Sequence, residues 1–566
     1  MLDIKEIVSK SVVDADNTLD ITEIYDMLEY PPDPNMGDIA LPCFKLSKKL
    51  KKAPAMIAQQ FLSSFKSCEH ISKVEALSGY LNFFLNKRRF IEEVLSAVLN
   101  CGSDYGKSGR GEGKTVVVDF SAPNIAKPFH VGHLRSTAIG NSLYRIHQFM
   151  GYKAVGINHL GDWGTQFGKL IVAYKKWGVK QEIENGGVKA LMALYVKFHD
   201  ESEKDTALED EAREWFIRME KRDEEALSLW QWIKDISLDE FKKVYELMGV
   251  HFDSWAGESF YNDSSLDVAD ELKDKKLLKE SEGAFLVELD QFSLPHCLIL
   301  KKDGGTLYAT RDIAAAIYRK RTYDFESCIY VTSAGQSLHF EQWFKVVELM
   351  GYTWAKNLKH VPFGTVNLGG EKLSTRKGNV VLLENIFDEA IKKTEEIIAS
   401  KSGDLNDKEE TARSIGVGAV IFSDLFSNRI KDVSFSWEEI LDFDGETGPY
   451  VQYTHARACS VMKKSGFEDN VIFDVIILEN SEEYDVAKCL YEFPLRVEQA
   501  FDMLEPSVIT RYLVELARAF NRFYHNHSIL AVDEELKKSR LALVKAVRTV
   551  LSNGLWLIGL KAPERV

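Results

Sequence analysis

The chain has 566 residues, 45% hydrophobic and 28% charged, with a formal net charge of −15. That length exceeds what one core can serve and calls for about three or four domains. No stretch approaches the roughly 18 uninterrupted apolar residues of a membrane span, and the acidic balance excludes a protein that coats nucleic acid through bulk phosphate neutralisation.

The opening residues, "MLDIKEIVSKSVVDADN", lack the apolar core of a secretory leader. Seven cysteines lie far apart with no Cys-x-x-Cys pair, which predicts neither a disulfide framework nor a zinc site, and no other metal site is expected. A reducing cytoplasm is the compartment these features predict.

Residues 1–100 read as a small α+β unit. "TEIYDMLEY" and "KAPAMIAQQFLSSF" carry helical spacing, and "GYLNFFL" (79–85) is a short strand. The glycine-rich "NCGSDYGKSGRGEGK" marks a boundary. From "TVVVDF" (115–120) strands alternate with helices, through "AVGIN" (154–158), "SCIYVTSA" (327–334) and "HVPFGTVNL" (360–368). Such alternation predicts a parallel, doubly wound sheet over 115–385. A charged helical run at about 179–250 interrupts it as an insertion, and "LILKKDGGTLYAT" (298–310) reads as a hairpin. Beyond 385 strand signals vanish, and long helical patterns predict an all-α bundle over 386–566. In its last stretch, 496–566, eleven Lys/Arg stand against eight Asp/Glu, a small excess compatible with an ordinary solvated face.

The stretch "SAPNIAKPFHVGHLRST" joins the first strand of the sheet to a helix. His130 and His133 fall at the first turn of that helix, where free N–H groups favour anions. Gly132 between them admits close approach to the backbone. The corner suits a nucleoside triphosphate. A metal pair would need a third ligand, and none lies nearby in sequence.

"HVGH" resembles the His-Ile-Gly-His signature of class I aminoacyl-tRNA synthetases. With "INHLGDWGTQFGKL", "TLYATRD", "LSTRKGNVVLL", "TGPYVQYTHAR" and the terminal "APERV", nearly the whole chain resembles the arginyl-tRNA synthetase family. The resemblance implies a Rossmann-like class I catalytic domain, an N-terminal domain that grips the tRNA corner and its D-loop, and a helical anticodon-binding domain. It implies that L-arginine is activated by ATP, as its Mg2+ complex, to arginyl-adenylate and passed to the 3′-terminal ribose of tRNA(Arg). Bound tRNA is expected to precede activation, and the chain is expected to act as a monomer.

The same resemblance assigns Asp119, Tyr308 and Asp312 to the arginine side chain, and Asn124, His133 and Gln336 to its head group. A guanidinium needs acceptors in a fixed plane, and Tyr308 and Asp312 at i, i+4 share a helix face. ATP falls to His130, Gly132, His133, Lys372, Ser374 and Lys377. The loop "EKLSTRKGNVVLL" (371–383) resembles the mobile Lys-Met-Ser-Lys-Ser segment, but Thr375 replaces its second lysine. Lys127, Arg376 and Lys377 are three candidates for the missing charge. For tRNA the resemblance implies Tyr80 and Asn82 at the D-loop. Tyr453, Arg457, Arg518 and Arg522 belong to segments where basic and aromatic residues interleave. Small nucleotidyltransferases share the tetrad but would not explain the flanking domains, and a non-catalytic relative would be expected to lose signature residues.

Overall fold

The alternation in "GYLNFFL" builds the first sheet: Leu81, Phe83 and Leu85 share one face and are buried, as a period of two requires. The computed structural model describes residues 2–302, 304–368, 371–372, 382–401, 408–466 and 477–566. In it β1 (Ile39–Pro42), β2 (Ile71–Leu77) and β3 (Tyr80–Leu85) form an antiparallel sheet in the order β1-β3-β2. The expected helices run Ile21–Met27 and Pro54–Ser64, the second opened by a proline whose missing N–H is no loss there.

After the glycine-rich boundary come β4 (Thr115–Asp119) and β5 (Lys153–Ile157), joined by the helix Gly132–Phe149. A small antiparallel sheet of β6 (Leu278–Ser281), β7 (Ala284–Val287) and β8 (Cys297–Leu300) follows. β9 (Ser327–Ser333) and β10 (Leu358–Phe363) then complete a parallel sheet in the order β10-β9-β4-β5. Val116, Val117 and Val118 are all buried, which is why "TVVVD" shows no alternation: both faces of a parallel sheet are covered. The chain leaves β4 towards β5 on one side and returns to β9 on the other. The switch point, where such sheets bind ligands, therefore lies between β4 and β9.

The insertion is three helices, Lys180–Ser202, Ala207–Glu220 and Glu224–Met248, the first kinked at Gly187. Two expectations need correction. "HVPFGTVNL" is two strands, not one: β10 ends at Phe363, and β11 (Val366–Leu368) belongs to a separate sheet with β12 (Glu371–Lys372) and β13 (Val433–Phe435). β13 itself lies beyond 385, where no strand was expected. Three residues are too short for a periodic signal, and their pairing with β11 is a long-range event. The expected hairpin at 298–310 is present in short form, closed by the antiparallel Leu300–Thr306 bridge and by the Leu307 N–H on Ile299 O at 3.2 Å, and the helix Tyr308–Tyr323 begins at once.

By packing the chain forms two units. One comprises Met1–Tyr105, Thr454–Pro494 and Glu515–Leu551; the other Gly106–Tyr453, Leu495–Val514 and Ser552–Val566. Residues beyond 385 thus contribute helices to each. Among the described residues no helix is long and apolar enough to cross a membrane, and no group of three or more His, Cys, Asp or Glu could hold a metal.

Candidate active site

The histidine corner is held by its own backbone. His130 Nδ1 accepts the Gly132 N–H at 3.0 Å, and His133 Nδ1 accepts the His130 N–H at 3.2 Å. An Nδ1 that accepts places the ring proton on Nε2, so each imidazole keeps an Nε2–H to donate. The two rings lie 4.1 Å apart, and His133 stacks on Phe129 at 4.9 Å. Burial, then neighbouring positive charge, hold both in the neutral form; His133 is pushed down to about 3. A Cβ at Gly132 would stand 2.7 Å from His130 Cε1, so any side chain there would displace the imidazole. The last residues of the second signature lie against this corner: His130 bridges Leu382, and the Leu383 N–H bonds Phe129 O at 3.0 Å.

Asn124 is exposed on the same loop, and its backbone bridges Gly161 after β5. Gly161 is a residue the sequence did not single out. A Cβ there would lie 2.3 Å from Asn124 Oδ1, so "HLGDWG" carries its glycine to make room for the asparagine.

The carboxylates at the rim divide into two kinds. Asp119 ends β4 with one oxygen engaged: its Oδ2 lies 2.7 Å from Arg319 Nη1, and both side chains are buried. The carboxylate expected to meet the substrate guanidinium thus already meets a guanidinium of the chain itself, as Glu258 does below. A buried carboxylate needs a cation, and Arg319 supplies it from the helix that also carries Asp312. Asp119 therefore ties that helix to the end of β4. Asp312 accepts from His339 Nε2 at 2.6 Å with a quarter of its side chain exposed. Glu258 is a second acid the sequence reading missed. It meets Arg311 at 2.7 Å, yet burial, aided by Asp312 and Asp162, pushes its carboxyl up to about 7. Its only sequence signal was an acid in "SWAGES" with no motif of its own.

Tyr308 is exposed at the first turn of the helix Tyr308–Tyr323, one turn before Asp312. Gln336 is exposed in the turn that follows β9. Lys127 is exposed on the loop, and its charge contributes to holding His130 neutral. Ser374, Arg376 and Lys377 lie outside the described residues, as does the Lys372 side chain.

Of the tRNA candidates, Tyr80 is half-buried, edge-on to Phe44 at 4.9 Å. Asn82 is 1% exposed, and among the described residues its Oδ1 has no hydrogen-bond partner. It thus departs from the expected surface amide: it is buried on the face of β3 opposite Leu81 and Phe83. Tyr453, Arg518 and Arg522 are exposed. Arg457 bonds Asn521 and lies 5.0 Å from the Tyr524 ring. Phe520 and Phe523, aromatic residues of the segment that carries Arg518 and Arg522, are core.

A parallel sheet with a histidine tetrad at its switch point defines a class of nucleotide-using enzyme, and the comparisons with known proteins narrow it. Residues 94–437 match the family model for tRNA synthetases class I (R), catalytic domain. Residues 451–566 match the DALR anticodon binding domain, and 2–85 the arginyl tRNA synthetase N terminal domain. The class is therefore that of the class I aminoacyl-tRNA synthetases. An arginine–tRNA ligase of Alkaliphilus metalliredigens is 54% identical and one of Clostridioides difficile 51% identical, each over 100% of both chains. The solved arginyl-tRNA synthetase of Thermus thermophilus superposes with a TM-score of 0.80 at 25% identity over 100% of both chains, and that of Plasmodium falciparum with 0.80 at 26%, covering 100% and 98%. The chain belongs to the arginyl-tRNA synthetase family.

Proposed function

We infer that the chain joins L-arginine to tRNA(Arg) at the expense of ATP. The observation that carries this reading is that the segments around the ends of β4, β5 and β9 meet: Asn124, on the loop with the two Nε2–H donors, bridges Gly161, the Glu258 N–H bonds Leu160 O at 2.9 Å, and Asp312 accepts from His339 beyond β9. Asp312, Glu258 and Tyr308 receive the guanidinium, while Asn124 and Gln336 face the head group. Asp119 and Glu258 each meet that guanidinium while paired with an arginine of the chain, Arg319 and Arg311. One oxygen of the arginine carboxylate attacks the α-phosphorus of Mg·ATP. The bond from that phosphorus to the bridging β-phosphate oxygen breaks, and pyrophosphate leaves. His130 and His133 donate to phosphate oxygens as charge shifts, with Lys127 and the segment containing Lys372, Ser374, Arg376 and Lys377 adding cationic charge. A terminal ribose hydroxyl then attacks the acyl carbon and releases AMP. No side-chain nucleophile is needed, so the rate comes from positioning and charge.

The reading also takes the enzyme to act as a cytoplasmic monomer, with tRNA bound before activation. Tyr80, Tyr453, Arg457, Arg518 and Arg522 contact tRNA, and Asn82 is the least accessible of the candidates. Charging of total tRNA with each of the twenty amino acids tests the whole: arginine alone is expected to be esterified. Pyrophosphate exchange with arginine should require tRNA. Esterification of another amino acid in preference to arginine overturns the reading.

A further inference from the structure

The loop 120–131, which presents Asn124, Lys127 and His130, follows an unfavourable backbone path. Ser121, Ala122 and Ala126 have φ of 73°, 48° and 60°. L-residues with side chains adopt that region only when their surroundings impose it, and such strain gathers at functional sites. Ser136 and Thr137 of the helix Gly132–Phe149 bond Ser121, each at 2.8 Å, and a further constraint comes from the last helix of the insertion, Glu224–Met248, which the reaction as described does not use.

Ser237, Phe241 and Tyr245 lie at i, i+4 and i+8 on that helix, and all three are buried. Each touches the loop. Ser237 Oγ accepts the N–H of Ala126 at 3.0 Å. Tyr245 Oη and Ser121 Oγ share a hydrogen bond of 2.7 Å, and Tyr245 Oη accepts Asn158 Nδ2–H at 3.0 Å. Asn158 Oδ1 in turn accepts the N–H of Ala122 at 3.2 Å. Phe241 and Tyr245 also pack on Phe129, at 5.5 and 5.3 Å, and Phe129 carries the His133 ring. All three strained residues, and the ring beneath His133, are therefore held by one face of one helix or by its direct partner.

We propose that Ser237 and Tyr245 are positioning residues for adenylate formation: they clamp the strained loop so that the tetrad and Asn124 meet their substrates in register. The inserted helices are then part of the machinery for arginine activation. This rests on the reading of the loop as the ATP- and arginine-handling segment.

The test uses the full chain with tRNA, measuring arginine-dependent pyrophosphate exchange for wild type, Ser237→Ala, Tyr245→Phe, and Ser237→Ala combined with Ala126→Gly. Displacement of reacting groups by about 1 Å can cost on the order of 100-fold. The single variants should thus lose about tenfold or more in kcat, with the KM for tRNA and the melting midpoint near wild type. Glycine adopts φ near +60° without a clamp, so the double variant should recover part of the lost kcat. A kcat within twofold of wild type overturns the proposal. So does an activity loss that tracks the unfolded fraction, or a double variant no better than Ser237→Ala. If the wild type shows no arginine-dependent exchange, the functional reading itself fails instead.

Discussion

Replacing Asp312 by asparagine removes one negative charge from the proposed guanidinium site and changes little else. Asn Oδ1 can still accept from His339 Nε2, which now sits 2.6 Å from the carboxylate, so the side chain keeps its orientation. Loss of one partner in a hydrogen-bonded charge pair typically costs about 2–5 kcal/mol. With 26% of the Asp312 side chain exposed, solvent screens part of that, and the lower end, about 2–3 kcal/mol, applies. At 1.4 kcal/mol per decade this corresponds to a roughly 30- to 150-fold rise in the KM for arginine. The KM for ATP should stay within about twofold, because the histidine pair is held by its own backbone and not by Asp312. Pyrophosphate exchange in the presence of tRNA, titrating arginine and then ATP, reads both. An arginine KM unchanged in Asp312→Asn refutes the pocket.

Glu258 makes arginine binding pH-dependent. Its pKa is raised to about 7, so below that pH it holds a proton that must leave before it can face a guanidinium. The arginine KM should fall as pH rises from about 6 to 8 and then level off, and Glu258→Gln should flatten that profile; a sloping profile in the variant removes Glu258 from the pocket. Lys127→Ala should lower kcat for adenylate formation by about 10- to 100-fold with little change in the KM for ATP; equal losses in both would mean ground-state binding only. His147 is buried against Phe501 at 4.8 Å, and its pKa is pushed down to about 4. The unfolded chain therefore binds more protons below about 6.5. The stabilisation from neutral His147 is complete above that pH and is lost as pH falls through 4, by about 3 kcal/mol at most. Between pH 7 and 5, urea midpoints should fall less for His147→Gln than for wild type, and parallel curves would reject the assignment.

Local pattern made much of this molecule readable from its residues. β4 and β9 appear as apolar runs because a parallel sheet is covered on both faces, and the insertion's helices carry their charge in plain view. The tetrad was legible because its essential contacts span only four residues: the backbone N–H groups that fix both imidazoles belong to the same short segment. What tertiary structure alone decided was which charge meets which. Asp119 finds Arg319, two hundred residues away, and so ties the helix Tyr308–Tyr323 to the end of β4. Glu258 acquires its raised pKa from burial and from acids on other elements, and Asn82 is buried on a strand face that alternation alone leaves open. Ser237 and Tyr245 look like ordinary helix residues until the fold sets them on a strained loop. Desolvation and pairing depend on neighbours in space, and a linear pattern carries no record of them.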